Sequence, residues 1–204
     1  DTLPPRADNA RRILLLGDSR MAEWNFPPPP GFQTINAGLP GLTSAQLRGL
    51  APSVLDRIQP EVVVLQIGIN DLKLVGVRSG WRERVVTDAA ENIAEVVAAC
   101  RRRGIRVILL DTWPAGPPEW SRRMVWNAAV PEAVRELNQR LRSRLASDTG
   151  VVPLDLFERA GLAASKITHR DAVHLRAGTY DPLARALRAE LESMKPTEDE
   201  SESR

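Results

Sequence analysis

With 204 residues, 43% hydrophobic and 26% charged, the chain has enough material for one sizeable core and the make-up of a globular protein, not a disordered one. Its formal net charge is only +2, and the 28 basic residues, 25 of them arginine, are scattered along the sequence, which argues against nucleic-acid binding. The single cysteine, Cys100, excludes an internal disulfide and a cysteine-rich zinc site, and no run approaches the roughly 18 apolar residues of a membrane span.

Residues 1–10, "DTLPPRADNA", read as a polar, proline-containing extension, 11–195 as the folded domain, and 196–204, "PTEDESESR", as a disordered tail. The proline-bearing lead-in and a start at Asp1 tilt the expectation toward a secreted or periplasmic protein over a cytoplasmic one. The segment "FPPPPG" at 26–31 reads as a rigid, extended surface connection. Short apolar runs bounded by turn residues predict strands at about 12–17, 33–37, 61–67, 105–110 and 151–154.

Helices are expected between them. Val86, Ala90, Ile93, Val97 and Cys100 recur at three- and four-residue spacing before Gly104, which puts Cys100 on an apolar face as a buried structural thiol. Val134, Leu137, Leu141 and Leu145 repeat the pattern, with Pro131 near the first turn. A last helix reads from Asp181 as N-cap, with Pro182 as its first residue. Strands alternating with helices predict an α/β fold whose parallel sheet is covered on both faces. Ligands then bind beyond the carboxyl ends of the strands.

The chemistry-bearing residues fall at those ends. The first strand runs into Gly17-Asp18-Ser19, the second into Asn36 and Gly38, the third into Gly68, Asn70 and Asp71, and the fourth into Asp111, Thr112 and Trp113. After the fifth comes "HRDAVHL", with Asp171 three residues before His174. Acyl transfer needs such a set: a nucleophile, a base with an orienting carboxylate, and donors for an oxyanion. Each residue also has a plainer reading. Ser19 is either a helix cap or a nucleophile beside a helix N-terminus. His174 is a base candidate, whereas His169 reads as an exposed loop residue. Asp171 either orients the imidazole or belongs to a surface turn. Gly38 offers an unobstructed backbone N–H or simply makes a turn, and Asn70 donates its amide or caps the next turn.

Taken together, Gly17-Asp18-Ser19, "NAGLPGLTS" around Gly38, Gly68-Ile69-Asn70-Asp71 and Asp171-Ala172-Val173-His174 resemble the four signature blocks of the GDSL, or SGNH, hydrolases, in the family's order. The resemblance spans residues 11 to about 193. It implies a flavodoxin-like three-layer α/β/α sandwich around a parallel sheet of about five strands. It also implies Ser19 as nucleophile, His174 as base, Asp171 as its orienting carboxylate, and an oxyanion hole of the Ser19 and Gly38 N–H groups with the Asn70 side chain. No metal and no organic cofactor is implied. The expected partner is a small-molecule or polysaccharide ester, with no nucleic acid.

Two features depart from the pattern. Arg20 follows the serine where many relatives carry leucine or isoleucine. It reads either as a solvated first-turn residue or, with Arg170 and Arg176, as a cation for an anionic acyl group. Leu175 and Arg176 follow His174 where proline or asparagine is frequent. Trp24 and Trp113, near the same edge, are candidates to line a substrate pocket. Trp120 and Trp126 read as loop packing, and Trp81 as core or staple. The leading expectation is a serine esterase. The rivals are an acyltransferase to an alcohol and a non-catalytic flavodoxin-like binding module. No Gly-x-Ser-x-Gly elbow, Walker-type loop or Gly-x-Gly-x-x-Gly is present.

Overall fold

The structure is a computed structural model and describes residues 5, 6, 10–117, 120, 125–163 and 168–194. The acidic tail at 196–204, and residues 1–4 and 7–9 of the lead-in, lie outside the described residues. Five apolar runs form strands β1 (Arg11–Gly17), β2 (Phe32–Asn36), β3 (Val62–Gln66), β4 (Arg106–Leu110) and β5 (Val151–Leu154). Every pairing is parallel and the order is β2-β1-β3-β4-β5. This is the flavodoxin-like order, in which the chain reverses its direction of growth between β1 and β3. A crevice therefore opens beyond the carboxyl ends of those two strands.

Seven α-helices flank the sheet among the described residues: α1 (Ser19–Ala22), α2 (Ser44–Ile58), α3 (Ile69–Val77), α4 (Arg82–Arg101), α5 (Ala129–Leu145), α6 (Leu156–Arg159) and α7 (Tyr180–Ser193). Alternation along each strand splits the core in two. Leu14, Leu16, Val63, Leu65, Val107 and Leu109 face α2, α3, α4 and α5. Ile13, Leu15, Val62, Val64, Ile108 and Leu110 face Trp24, Trp113, Phe157 and the apolar stripe of α7. Cys100 is fully buried in the first layer, and burial pushes its thiol up to about 12, so it is a packing residue. The start of α7 differs from expectation. The helix opens at Tyr180 after Thr179, which puts Asp181 inside the first turn and not at the cap.

Candidate active site

The turn after β1 settles what caps α1. Asp18 is the N-cap: its Oδ1 accepts from the Arg20 N–H at 3.0 Å, and its carbonyl accepts from Met21 and Ala22. Three N–H groups of this single turn are thus committed to Asp18, while Ser19, 6% exposed, stands outside that set. The helix is only four residues long, so its dipole is small and local N–H groups matter more. Asp18 has no exposed surface, and among the described residues its Oδ2 meets no donor. Burial pushes its carboxyl up to about 6, although the Arg20 charge and N–H pull the other way.

The 168–176 loop supplies the Asp–His pair. Asp171 Oδ1 accepts from the backbone N–H groups of Val173 and His174 at 2.7 and 2.8 Å, which closes the turn. Its Oδ2 lies 2.8 Å from His174 Nδ1. Burial alone would raise the Asp171 carboxyl, but these bonds outweigh it and hold it down at about 2. An ionised Asp171 fixes the proton on Nδ1 and leaves Nε2 as an acceptor, the tautomer that a general base requires. Glu23, which follows α1, lies 4.0 Å from His174 Nε2 and pairs with Arg170 at 2.7 Å.

Gly38 and Asn70 complete the edge. A Cβ at Gly38 would stand 2.3 Å from the Ala22 nitrogen, so only glycine lets this loop lie against α1. Asn36 organises the contact by donating to the carbonyls of Met21 and Trp24 and accepting from the Gly38 N–H at 2.9 Å. At the end of β3, Gly68 turns the chain into α3 at φ +124, a conformation that side chains disfavour. Asn70 Nδ2 spends one donor on Leu42 O at 3.0 Å and has a second. Beside it, half-buried Asp71 accepts from the N–H and hydroxyl of Ser44, whose hydroxyl also accepts from Asn92. This locks the start of α2 to α3. Burial raises the Asp71 carboxyl against those bonds.

Several expectations are corrected. Arg20 neither reaches solvent nor faces a substrate. It is fully buried, and its guanidinium donates to the carbonyls of Val173 (2.6 Å), Trp113 (2.6 Å) and Pro114 (2.9 Å). Arg170 is taken by Glu23, and Arg176 Nε donates to His169 O, so the three arginines form no anion site. Trp24 and Trp113, each 1% exposed, serve chiefly as packing, although Trp24 borders an open groove with Glu23, Phe32 and Asn36. They pack edge-on at 5.8 Å within a cluster with Phe26, Phe157 and Tyr180. His169 is buried, with Nδ1 bonded to the Thr168 hydroxyl and Nε2 to Pro114 O. Burial and the Arg20 charge bring its imidazole down to about 4, so it stays neutral and is spent on structure. Trp81, expected as core or staple, and Trp120, expected as packing, are both exposed, whereas Trp126 is buried.

Sequence reasoning missed the tether of Arg20 and the Ser44–Asp71–Asn92 link. A cation at a usually aliphatic position was the only available hint of the first, and "TSAQ" at 43–46, a capping-box pattern, of the second.

The described geometry brings the ends of β1, β2 and β4 and the 168–176 loop together around α1. Gly38 abuts Ala22, and the Arg20 guanidinium donates to Trp113, Pro114 and Val173. Comparison with solved structures gives the same arrangement of the chain. A GDSL-like lipase from Bacteroides thetaiotaomicron superposes with a TM-score of 0.72 at 19% identity, over 95% of this chain and 93% of that one. The aryl esterase of M. smegmatis gives 0.72 at 19% identity, over 91% and 100%. A carbohydrate acetylesterase from Sinorhizobium meliloti gives 0.69 at 18% identity, again over 91% and 100%. At these identities the likeness is one of fold. A search of the curated proteins returned no match. The family model described as "GDSL-like Lipase/Acylhydrolase family" matches residues 15–181, which contain every block above. The chain belongs to the GDSL-like lipase/acylhydrolase family and is a hydrolase acting on ester bonds.

Proposed function

We propose that the protein is a serine esterase in which Ser19 is the nucleophile, His174 the general acid–base and Asp171 its orienting carboxylate. His174 Nε2 takes the Ser19 proton as Oγ attacks the ester carbonyl. The tetrahedral oxyanion accepts from the Ser19 N–H, the Gly38 N–H (turned away from Asn36 Oδ1) and the free donor of Asn70. Collapse breaks the C–O bond to the alcohol, which leaves with the proton from His174. Water, deprotonated by the same imidazole, then attacks the acyl-enzyme and releases the acid with Ser19 reprotonated.

The observation that carries this reading is the 2.8 Å Asp171–His174 bond, in a loop whose Val173 is hydrogen-bonded to the residue after Ser19. A groove of mixed lining, with Glu23, Asn25 and Asn36 beside Trp24 and Phe32, opens to solvent next to α1, which supports esters of small or carbohydrate alcohols. The carbohydrate acetylesterase neighbour supports a short acyl group such as acetyl.

The test is burst kinetics with p-nitrophenyl acetate and labelling by a fluorophosphonate probe. Ser19→Ala is expected to lose both the burst and the label while remaining folded. A retained burst would remove Ser19 from the chemistry, and failure of the folded wild type to label would favour a binding module. Asn70→Ala is expected to lower kcat on the order of 10²–10³-fold. Product analysis with added acceptor alcohols distinguishes hydrolysis from acyl transfer.

A further inference from the structure

We propose that Arg20 is a positioning residue: by clamping three backbone carbonyls of two distant loops, its guanidinium holds the Asp171–His174 segment in register with Ser19. The proposal rests on the serine-esterase reading above and adds a part to it.

Among the described residues Arg20 is the one cation with no exposed surface, in a chain with 25 arginines. Nothing about a four-residue helix demands an arginine at its second position. A buried charge is costly unless it is paired and fully hydrogen-bonded, so the site must be built for it. The planar fork goes some way to meet that requirement, since each of its three nitrogens has a carbonyl acceptor. Nε donates to Val173 O, Nη1 to Trp113 O and Nη2 to Pro114 O, spanning 153, 93 and 94 positions along the chain. Arg20's own backbone is fixed at both ends, its N–H by Asp18 Oδ1 and its carbonyl by the Tyr180 hydroxyl.

The two loops are also joined to each other. Gly116 N–H donates to Ala172 O, and His169 Nε2 to Pro114 O. Loop 111–117 and loop 168–176 therefore form one body, and the Arg20 guanidinium fastens that body to the turn carrying Ser19. The position is informative: Arg20 is covalently next to the nucleophile, and Val173 is covalently next to the base. Each bonded group is one residue from a reacting atom, so the Arg20–Val173 bond sets their separation. A misplacement of 1 Å in such an arrangement can cost on the order of 10²-fold in rate.

Lysine cannot substitute fully. An ammonium is a point donor and cannot reach three carbonyls arranged around a planar fork. Methionine fills similar volume and leaves all three carbonyls without this donor. Arg20 touches no substrate in this scheme, so its effect should fall on kcat and spare KM.

The experiment measures kcat and KM for p-nitrophenyl acetate in Arg20→Lys and Arg20→Met, normalised to the folded fraction by near-UV circular dichroism, with Ser19→Ala alongside. The expected result is a kcat lowered on the order of 10²-fold in Arg20→Met, with KM within about threefold of wild type and Arg20→Lys falling between the two. Wild-type kcat per folded molecule in Arg20→Lys and Arg20→Met overturns the proposal. So does a loss of activity that only follows the folded fraction, because Arg20 then serves stability alone. If Ser19→Ala is itself fully active, it is the esterase assignment that fails, a separately readable outcome.

Discussion

The two faces of the sheet are built from different materials. On one, the strands meet α2, α3, α4 and α5 through Leu, Val, Ile and Ala, and apart from the Ser44–Asp71–Asn92 link the polar groups sit at the outer surface, as in the Arg82–Glu132–Glu136 and Arg140–Glu83 network between α4 and α5. On the other, the aliphatic strand residues meet a cluster of Trp24, Trp113, Phe157 and Tyr180, with Asp18, Arg20 and His169 buried nearby. The first face can lose a methyl group and only soften. The second combines packing with charge placement, so a change there reaches the chemistry as well as the stability. Directional, buried polar groups transmit position in a way that aliphatic contacts do not.

The largest effect that would break this contrast is on truncation. Trp113→Ala should cost about 3–5 kcal/mol in urea unfolding and also lower kcat, because without the packed indole the backbone carbonyl that accepts from Arg20 is free to shift. Leu55→Ala, equally buried on the aliphatic side, should cost about 2–5 kcal/mol with kcat per folded molecule unchanged. Equal activity losses in the two variants would erase the distinction.

Asp18 and His169 sharpen it through pH. The folded-state pKa of Asp18 lies at about 6, above its ordinary 3.8, so its ionised form opposes folding above pH 6 and the penalty fades as pH falls toward 4. Asp18→Asn, which keeps a capping oxygen, should gain about 3 kcal/mol at pH 8 and almost nothing at pH 4. The opposite holds for His169. Its folded-state value of about 4 lies below 6.5, so its contribution is complete above pH 6.5 and is lost as pH falls through 4. His169→Gln should remove a decline of about 3 kcal/mol between pH 6.5 and 4. In the wild type the two slopes oppose each other, so urea midpoints should vary little with pH until one partner is replaced. The smallest effect belongs to the outer network. Arg140→Ala should shift the unfolding midpoint less than any change above, and the difference should vanish in 1 M salt.

The sequence carried the sheet and the order of the site well. All five strands lie within a residue or two of their expected bounds, because each is a short apolar run closed by turn residues. Helices α4 and α5 followed from their periodicity, and α7 from its Asp181-Pro182 start, which lies within the first turn. Helix α2 was not singled out, although Leu47, Ala51, Leu55 and Ile58 form a buried stripe; Gly49 and Pro52, both weak helix formers, lie within it. Its start is secured by a reciprocal Thr43–Gln46 cap, which outweighs them. The GDS, NAG, GIND and DAVH blocks pointed to residues that the fold gathers on one edge. The burial of Arg20 was illegible for a physical reason. Its acceptors are backbone carbonyls from loops about a hundred residues away, and backbone carbonyls leave no trace in residue identity.

A sheet in which all strands run the same way has two unlike ends. Ser19, Gly38 and Asn70 lie beyond the carboxyl end, while Arg11, Phe32, Val62, Arg106 and Val151 begin their strands at the other. At about 3.3 Å per residue, a five-residue strand keeps the two rims roughly 16 Å apart. Immobilising the enzyme through that far rim would leave substrate access unhindered, and a resin-bound catalyst could be oriented by side chains that the reaction never uses.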